Sequence, residues 1–117
     1  MHAESAMNPP SRPHEGQRLL EKAAAQGDIL AQFHLALLYD GNPLYDVGSI
    51  KLDKDLEKST FWYQKMSQQE KAEWTYVIVA LYQLGIRYEN GKGIAKNHSE
   101  AVKCYLKIIE HYWAFDF

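Results

Sequence analysis

ALYQLGIRYENGKGIAKNHSEAVKCYLK, residues 80–107, is the stretch that decides the fold. Ala80, Leu84, Gly85 and Tyr88 recur at helical spacing in its first half. Gly91-Lys92-Gly93 interrupts that pattern and reads as a turn. Asn97, with Glu100 three residues later, has the capping-box pattern that opens a second helix by supplying acceptors to its free N–H groups. Ala101, Cys104 and Tyr105 carry the apolar stripe of that helix. Small residues let the two helices approach closely, and large ones fill the remaining gaps. The stretch is therefore a helix hairpin.

The hairpin has an earlier copy in the chain. Leu35-Ala36-x-x-Tyr39 recurs as Leu84-Gly85-x-x-Tyr88 at an offset of 49, each with an alanine four residues before the leucine, Ala31 and Ala80. Leu19-Leu20-Glu21-Lys22, Trp62-Tyr63-Gln64-Lys65 and Cys104-Tyr105-Leu106-Lys107 align at offsets of 43 and 42. The irregularities fall between helices, after Asp40 and near Glu70–Tyr76, where a repeat of helix pairs tolerates insertions. Helices are expected over Glu15–Gln26, Ile29–Asp40, Asp53 or Asp55 to Gln69, Glu70 or Lys71 to Asn90, and Asn97–Trp113. Val77-Ile78-Val79 leans toward β-structure but reads as helix, because helical spacing continues on both sides. Residues 1–14, with Pro9, Pro10 and Pro13, read as a disordered lead-in to a repeat domain over 15–117. One hairpin cannot bury its own stripe, so the hairpins are expected to stack.

These residues resemble the Sel1-like repeat, a relative of the tetratricopeptide repeat. The second unit carries the pattern Ala80-x-x-x-Leu84-Gly85-x-x-Tyr88-x-x-Gly91-x-Gly93-Ile94-x-x-Asn97-x-x-x-Ala101-x-x-Cys104-Tyr105-x-Lys107. It departs from the family at Ile94, Asn97 and Cys104, where Val, Asp and Trp are usual. The first unit keeps Ala31, Leu35, Tyr39, Asp55, Trp62, Tyr63 and Lys65, but has Ala36 for glycine and Ser59 for alanine and lacks the Gly-x-Gly turn. Glu15–Gly27 resembles the second helix of a preceding unit. The resemblance implies an all-α fold: a short α/α solenoid of about two and a half hairpins, right-handed, serving as a non-enzymatic protein-interaction scaffold or adaptor.

Composition narrows the function further. The 117 residues are 46% apolar and 24% charged, with a net charge of −2, which disfavours binding to nucleic acid through its phosphates. One cysteine makes neither an internal disulfide nor a Cys-rich zinc site. No apolar run reaches the ~20 residues of a membrane span, and the opening residues lack a signal peptide's apolar stretch, so a cytoplasmic protein is expected. Gly91-Lys92-Gly93 follows a helix rather than a strand, unlike a phosphate-binding loop. Cys104 and His111 lie two turns apart on one helix, beyond hydrogen-bond reach. Asp53, Asp55 and Glu57 fit helix capping, without the glycine and final glutamate of a calcium loop. Asn97-His98-Ser99 reads as a cap rather than a glycosylation site, and Lys51, Lys54 and Lys58 as a solvated face. No catalytic residue, cofactor or metal site is expected.

The partner is expected to be another protein. A narrower alternative, suited to a small acidic chain, is a bacterial immunity protein that covers one toxin. Phe33, Leu37 and Asp40 align with Tyr82, Ile86 and Glu89, and the spacing i, i+4, i+7 keeps each trio on one helical face. The resemblance makes that face concave and protein-binding. Leu38 and Arg87 differ between the units beside it and read as a selectivity element. Tyr45, Asp46 and Trp74, in the inserted loops, form the alternative surface. Trp62 and Tyr88 are expected to be buried scaffold residues. The aromatic end, Tyr112 to Phe117, is expected to fold back over the last hairpin, with a second copy or a partner as the alternative cover. The chain is expected to be a monomer or a weak homodimer.

Overall fold

A computed structural model describes residues 13–41, 50 and 52–115. Among the described residues there are five helices and no sheet: α1 (Pro13–Ala25), α2 (Ile29–Asp40), α3 (Leu56–Ser67), α4 (Trp74–Asn90) and α5 (His98–Phe115). Each packs on its neighbours in the chain, giving the expected repeated hairpins. α1 begins at Pro13, so Pro13 and His14 belong to the helix rather than to the lead-in. Proline is tolerated there because its missing N–H would have no helical partner in the first turn. Residues 1–12 lie outside the described residues.

Three short side chains start helices by accepting a backbone N–H. Asp28 accepts from Ala31 at 3.0 Å, Asp55 from Lys58 at 3.1 Å and Asn97 from Glu100 at 3.1 Å. The expected capping box is half formed. Glu100 bonds Lys103 instead of reaching back, because the Asn97 N–H donates to the Tyr88 carbonyl at 2.8 Å. The first unit does the same: the Asp55 N–H donates to the Tyr39 carbonyl at 2.8 Å. These two bonds at repeat-equivalent positions close each loop onto the end of the preceding helix.

α4 starts at Trp74, later than the spacing suggests. The Gln69 side chain ties this segment to the α1–α2 turn, donating to the Gly27 carbonyl at 2.7 Å and to Gln32 Oε1 at 3.0 Å. α4 ends at Gly91, whose left-handed backbone (φ 69°) costs glycine nothing. Gly93 packs against the start of α3, where a β-carbon would collide with the Leu56 carbonyl.

The main core gathers Ala36, Tyr63, Met66, Val77, Ala80, Leu81, Leu84 and Cys104 from α2 through α5. A second cluster joins Ala24, Ala31, Leu35 and Tyr39. Trp62 and Tyr88 are half-buried rather than buried. Trp62 bridges the two clusters, and the adjacent Tyr63, 2% exposed, is the ring that fills the interior. Ser59 stands at a small-residue position and is fully buried, its hydroxyl donating to the Ala36 carbonyl at 2.7 Å. The tyrosine ending each unit's first helix reaches back to the preceding second helix. Tyr39 donates to Glu21 Oε1 at 2.9 Å, and the Tyr88 hydroxyl accepts from Gln64 Nε2 at 3.4 Å.

Two outcomes are expected. Tyr63→Ala lowers unfolding stability by about 3–5 kcal/mol, the range for emptying a buried aromatic site, and Trp62→Ala by less, in denaturant titrations. The second concerns Tyr39, whose phenol is pushed up to about 12 by burial and then by its bond to the Glu21 carboxylate. The folded value lies above the phenol's ordinary value of 10.0, so this group's contribution is whole below pH 10 and is lost as pH rises toward 12. Melting temperature should therefore fall across that window, and Tyr39→Phe should remove this component of the fall.

Candidate functional site

α2 and α4 touch directly. Phe33 meets Tyr76 edge-on, with centroids 6.0 Å apart at 68°. Further along both helices, the Arg87 guanidinium bonds the Asp40 carboxylate at 2.7 Å. Both contacts advance in the same direction, so the first helices of the two units run parallel. Arg87 is fully buried. It also donates to Thr60 Oγ1 at 3.0 Å and lies 4.9 Å from the centre of the Tyr63 ring. Thr60 in turn donates to the Lys92 carbonyl at 3.3 Å, and Lys92 Nζ lies 3.5 Å from Asp40. Among the described residues the buried Arg87 Nε–H has no acceptor.

This arrangement corrects the reading of Leu38 and Arg87 as a selectivity element, since both side chains are buried. Phe33 and Asp40 are engaged between helices, and Leu37 is half-buried. The sequence does carry a signal for Arg87: it is the one Lys or Arg in the α4 sequence, which is otherwise mostly apolar.

The α4 trio lies differently. Tyr82 is 53% exposed, Ile86 half-buried and Glu89 exposed. Beside them stands Tyr105 of α5, whose ring fits over Gly85 because a β-carbon there would strike it. Tyr105 donates to Glu89 Oε1 at 3.1 Å, and its ring centre is 6.5 Å from that of Tyr82. Burial, then this bond to Glu89, holds the Tyr105 phenol above its ordinary range. Along α5, Val102, Leu106, Ile109 and Trp113 are all exposed, Trp113 at 63%. Steps of four, three and four residues put them on one face. Sequence reasoning missed this stripe as a surface. Its signal was the scaffold set Ala101, Cys104 and Tyr105, which takes the adjoining face of the helix and leaves this one without a scaffold role.

The aromatic end does not fold back within the described residues, since α5 continues as helix through Phe115 with Tyr112 and Trp113 exposed. Helix continuation satisfies the backbone hydrogen bonds that a reversal there would break. Tyr45 and Asp46 lie outside the described residues. Trp74 stacks on His111 with centroids 3.9 Å apart and lines a cleft of about 350 Å³ with Ser67, Lys107 and Glu110. Cys104 is buried, and burial pushes its thiol up, away from the reactive thiolate. Among the described residues no group of three or more His, Cys, Asp or Glu could hold a metal ion, and no helix is long and apolar enough to cross a membrane.

Comparison with known proteins agrees with this architecture. The Sel1 repeat family matches residues 9–28, 29–71 and 78–111. The chain is also similar to the DAP3-binding cell death enhancer 1 of Rattus norvegicus, 31% identical over 102 residues. That alignment covers 87% of this chain and 17% of the rat protein, so the chain spans about a sixth of that relative's length.

Arg87 supports a direct test of the geometry. Arg87→Ala leaves the Asp40 carboxylate and the Thr60 hydroxyl without their shared cation. Asp40 is itself 23% exposed and keeps Lys92 at 3.5 Å, so chemical denaturation should show a loss at or below the ~3–5 kcal/mol of stranding a fully buried charge. Arg87→Lys should recover little of it, because an ammonium cannot fork to Asp40 and Thr60 while lying flat on Tyr63.

Proposed function

The chain belongs to the Sel1-repeat family, and we propose that it is a non-enzymatic adaptor that binds another protein with its α4–α5 hairpin. Proteins of this family generally act as protein–protein interaction scaffolds. One observation carries the choice of surface: the exposed stripe Val102, Leu106, Ile109 and Trp113. In the repeat register Val102 and Leu106 correspond to Thr60 and Gln64, which meet Arg87 and Tyr88 of the following α4. The stripe therefore continues the solenoid's own stacking surface, and a helix is the shape that fits it. Aromatic and aliphatic side chains of this size are also those that dominate binding energy.

The rat relative's name describes a protein that binds another protein, and it is the mode of action that we carry over, not the partner. A protein partner also suits a net charge of −2 better than a nucleic acid does. The toxin-neutralising alternative rests on size and charge alone.

The test is capture of partners from the native host by the tagged full chain, beside the variant Leu106→Glu. Leu106 is exposed, so the variant should melt at the parent temperature while losing at least tenfold in captured protein. Equal capture by the two chains would overturn the assignment of this surface.

A further inference from the structure

The Arg87 network has a counterpart in the second unit. The repeat offsets of 49 for first helices and 42 for second helices carry Phe33 to Tyr82, Asp40 to Glu89, Thr60 to Val102 and Tyr63 to Tyr105. In the first unit, Asp40 holds the guanidinium, Tyr63 lies against it, and Phe33 takes Tyr76 edge-on. The second unit repeats the acid and both rings: Glu89 is exposed, Tyr105 donates to it, and Tyr82 stands exposed beside Tyr105. An arginine arriving here would meet a carboxylate and an aromatic face together, the pairing that already holds Arg87.

We infer that the open face of the α4–α5 hairpin docks an amphipathic partner helix that presents an arginine to Glu89 and Tyr105 and an aromatic residue to Tyr82. The inference rests on the adaptor reading and specifies its partner. The spacing follows from α4, where Tyr76 precedes Arg87 by eleven residues. The departures from exact repetition refine it. Thr60 becomes Val102, so the arginine loses a hydroxyl acceptor and depends more heavily on Glu89. Gln64 becomes Leu106, so the residue after the arginine is apolar, where α4 has Tyr88. The partner helix therefore reads aromatic, ten intervening residues, arginine, apolar. Val102, Leu106, Ile109 and Trp113 receive its apolar side, and the exposed Glu89 supplies charge complementarity.

The probe is a fluorescein-labelled synthetic peptide with the sequence of residues 74–90 carrying Tyr88→Leu, titrated against the full chain by fluorescence anisotropy. Binding is expected to weaken at least tenfold with the Glu89→Lys chain, and also when the peptide carries Arg87→Glu. Combining those two changes should restore it, and circular dichroism should show both chains equally folded. A peptide that exchanged into the place of α4 would answer to Asp40 and ignore Glu89. Binding indifferent to Glu89→Lys, or no binding at all, therefore overturns the inference. So does a full chain that sediments as a dimer, becomes monomeric with Leu106→Glu and ignores the peptide, since the occupant is then a second copy. If partner capture is lost with Leu106→Glu but survives Glu89→Lys, the adaptor reading stands and the arginine cradle falls.

Discussion

The buried guanidinium of Arg87 is the constraint around which the stack is arranged. A cation with no access to water must be given acceptors where it sits, and they come from more than one element. Asp40 brings α2, Thr60 and Tyr63 bring α3, and Lys92 joins through Thr60 and Asp40 from the loop after α4. Shifting any one of these elements along its axis would strand a charge or a hydroxyl. Apolar contacts among Leu81, Leu84, Met66 and Tyr63 drive the helices together but tolerate sliding. The directional bonds to Arg87 do not, so they select one register from the several that hydrophobic burial would accept.

Around this centre the units are joined by contacts that repeat. The N–H of each cap residue, Asp55 or Asn97, closes onto the carbonyl of Tyr39 or Tyr88. Each of those tyrosines extends its hydroxyl to the preceding second helix, to Glu21 or Gln64. A solenoid is propagated by such local rules, with each unit completing the polar and apolar surface of the one before. The inserted segment before α4 obeys them too, because Gln69 anchors it across Gly27 and Gln32 without disturbing the helices on either side.

The same rules leave the outer face of the α4–α5 hairpin open among the described residues. Among the described residues no helix follows α5 to meet Glu89, Tyr105 and the stripe from Val102 to Trp113. The substitutions there are directional: Thr60 and Gln64, which receive polar partners, are replaced by Val102 and Leu106. The surface keeps the acid and the rings that hold an arginine while becoming more apolar around them. This combination is what the proposed partner helix would meet.

The amino-acid sequence by itself determined the helices, their pairing and the family. Those follow from short-range facts, namely helical spacing of Ala31, Leu35 and Tyr39, caps at Asp55 and Asn97, and a left-handed glycine at position 91. It also identified the small residues, Gly85 among them, that let a neighbouring ring approach. Which polar residues turn inward was decided only by tertiary structure. Arg87 stands out as the one basic residue of a mostly apolar helix, but nothing in the chain pairs it with Asp40; they are 47 residues apart and become partners only once α2 and α4 lie side by side. Trp62 and Tyr63 are both large and adjacent, and the rotation of α3 about its axis decides that Tyr63 is the one fully enclosed. The exposed stripe of α5 has the same origin. Its spacing is legible in the chain, but whether such a face is covered depends on what packs against it, and burial is a property of neighbours rather than of residues.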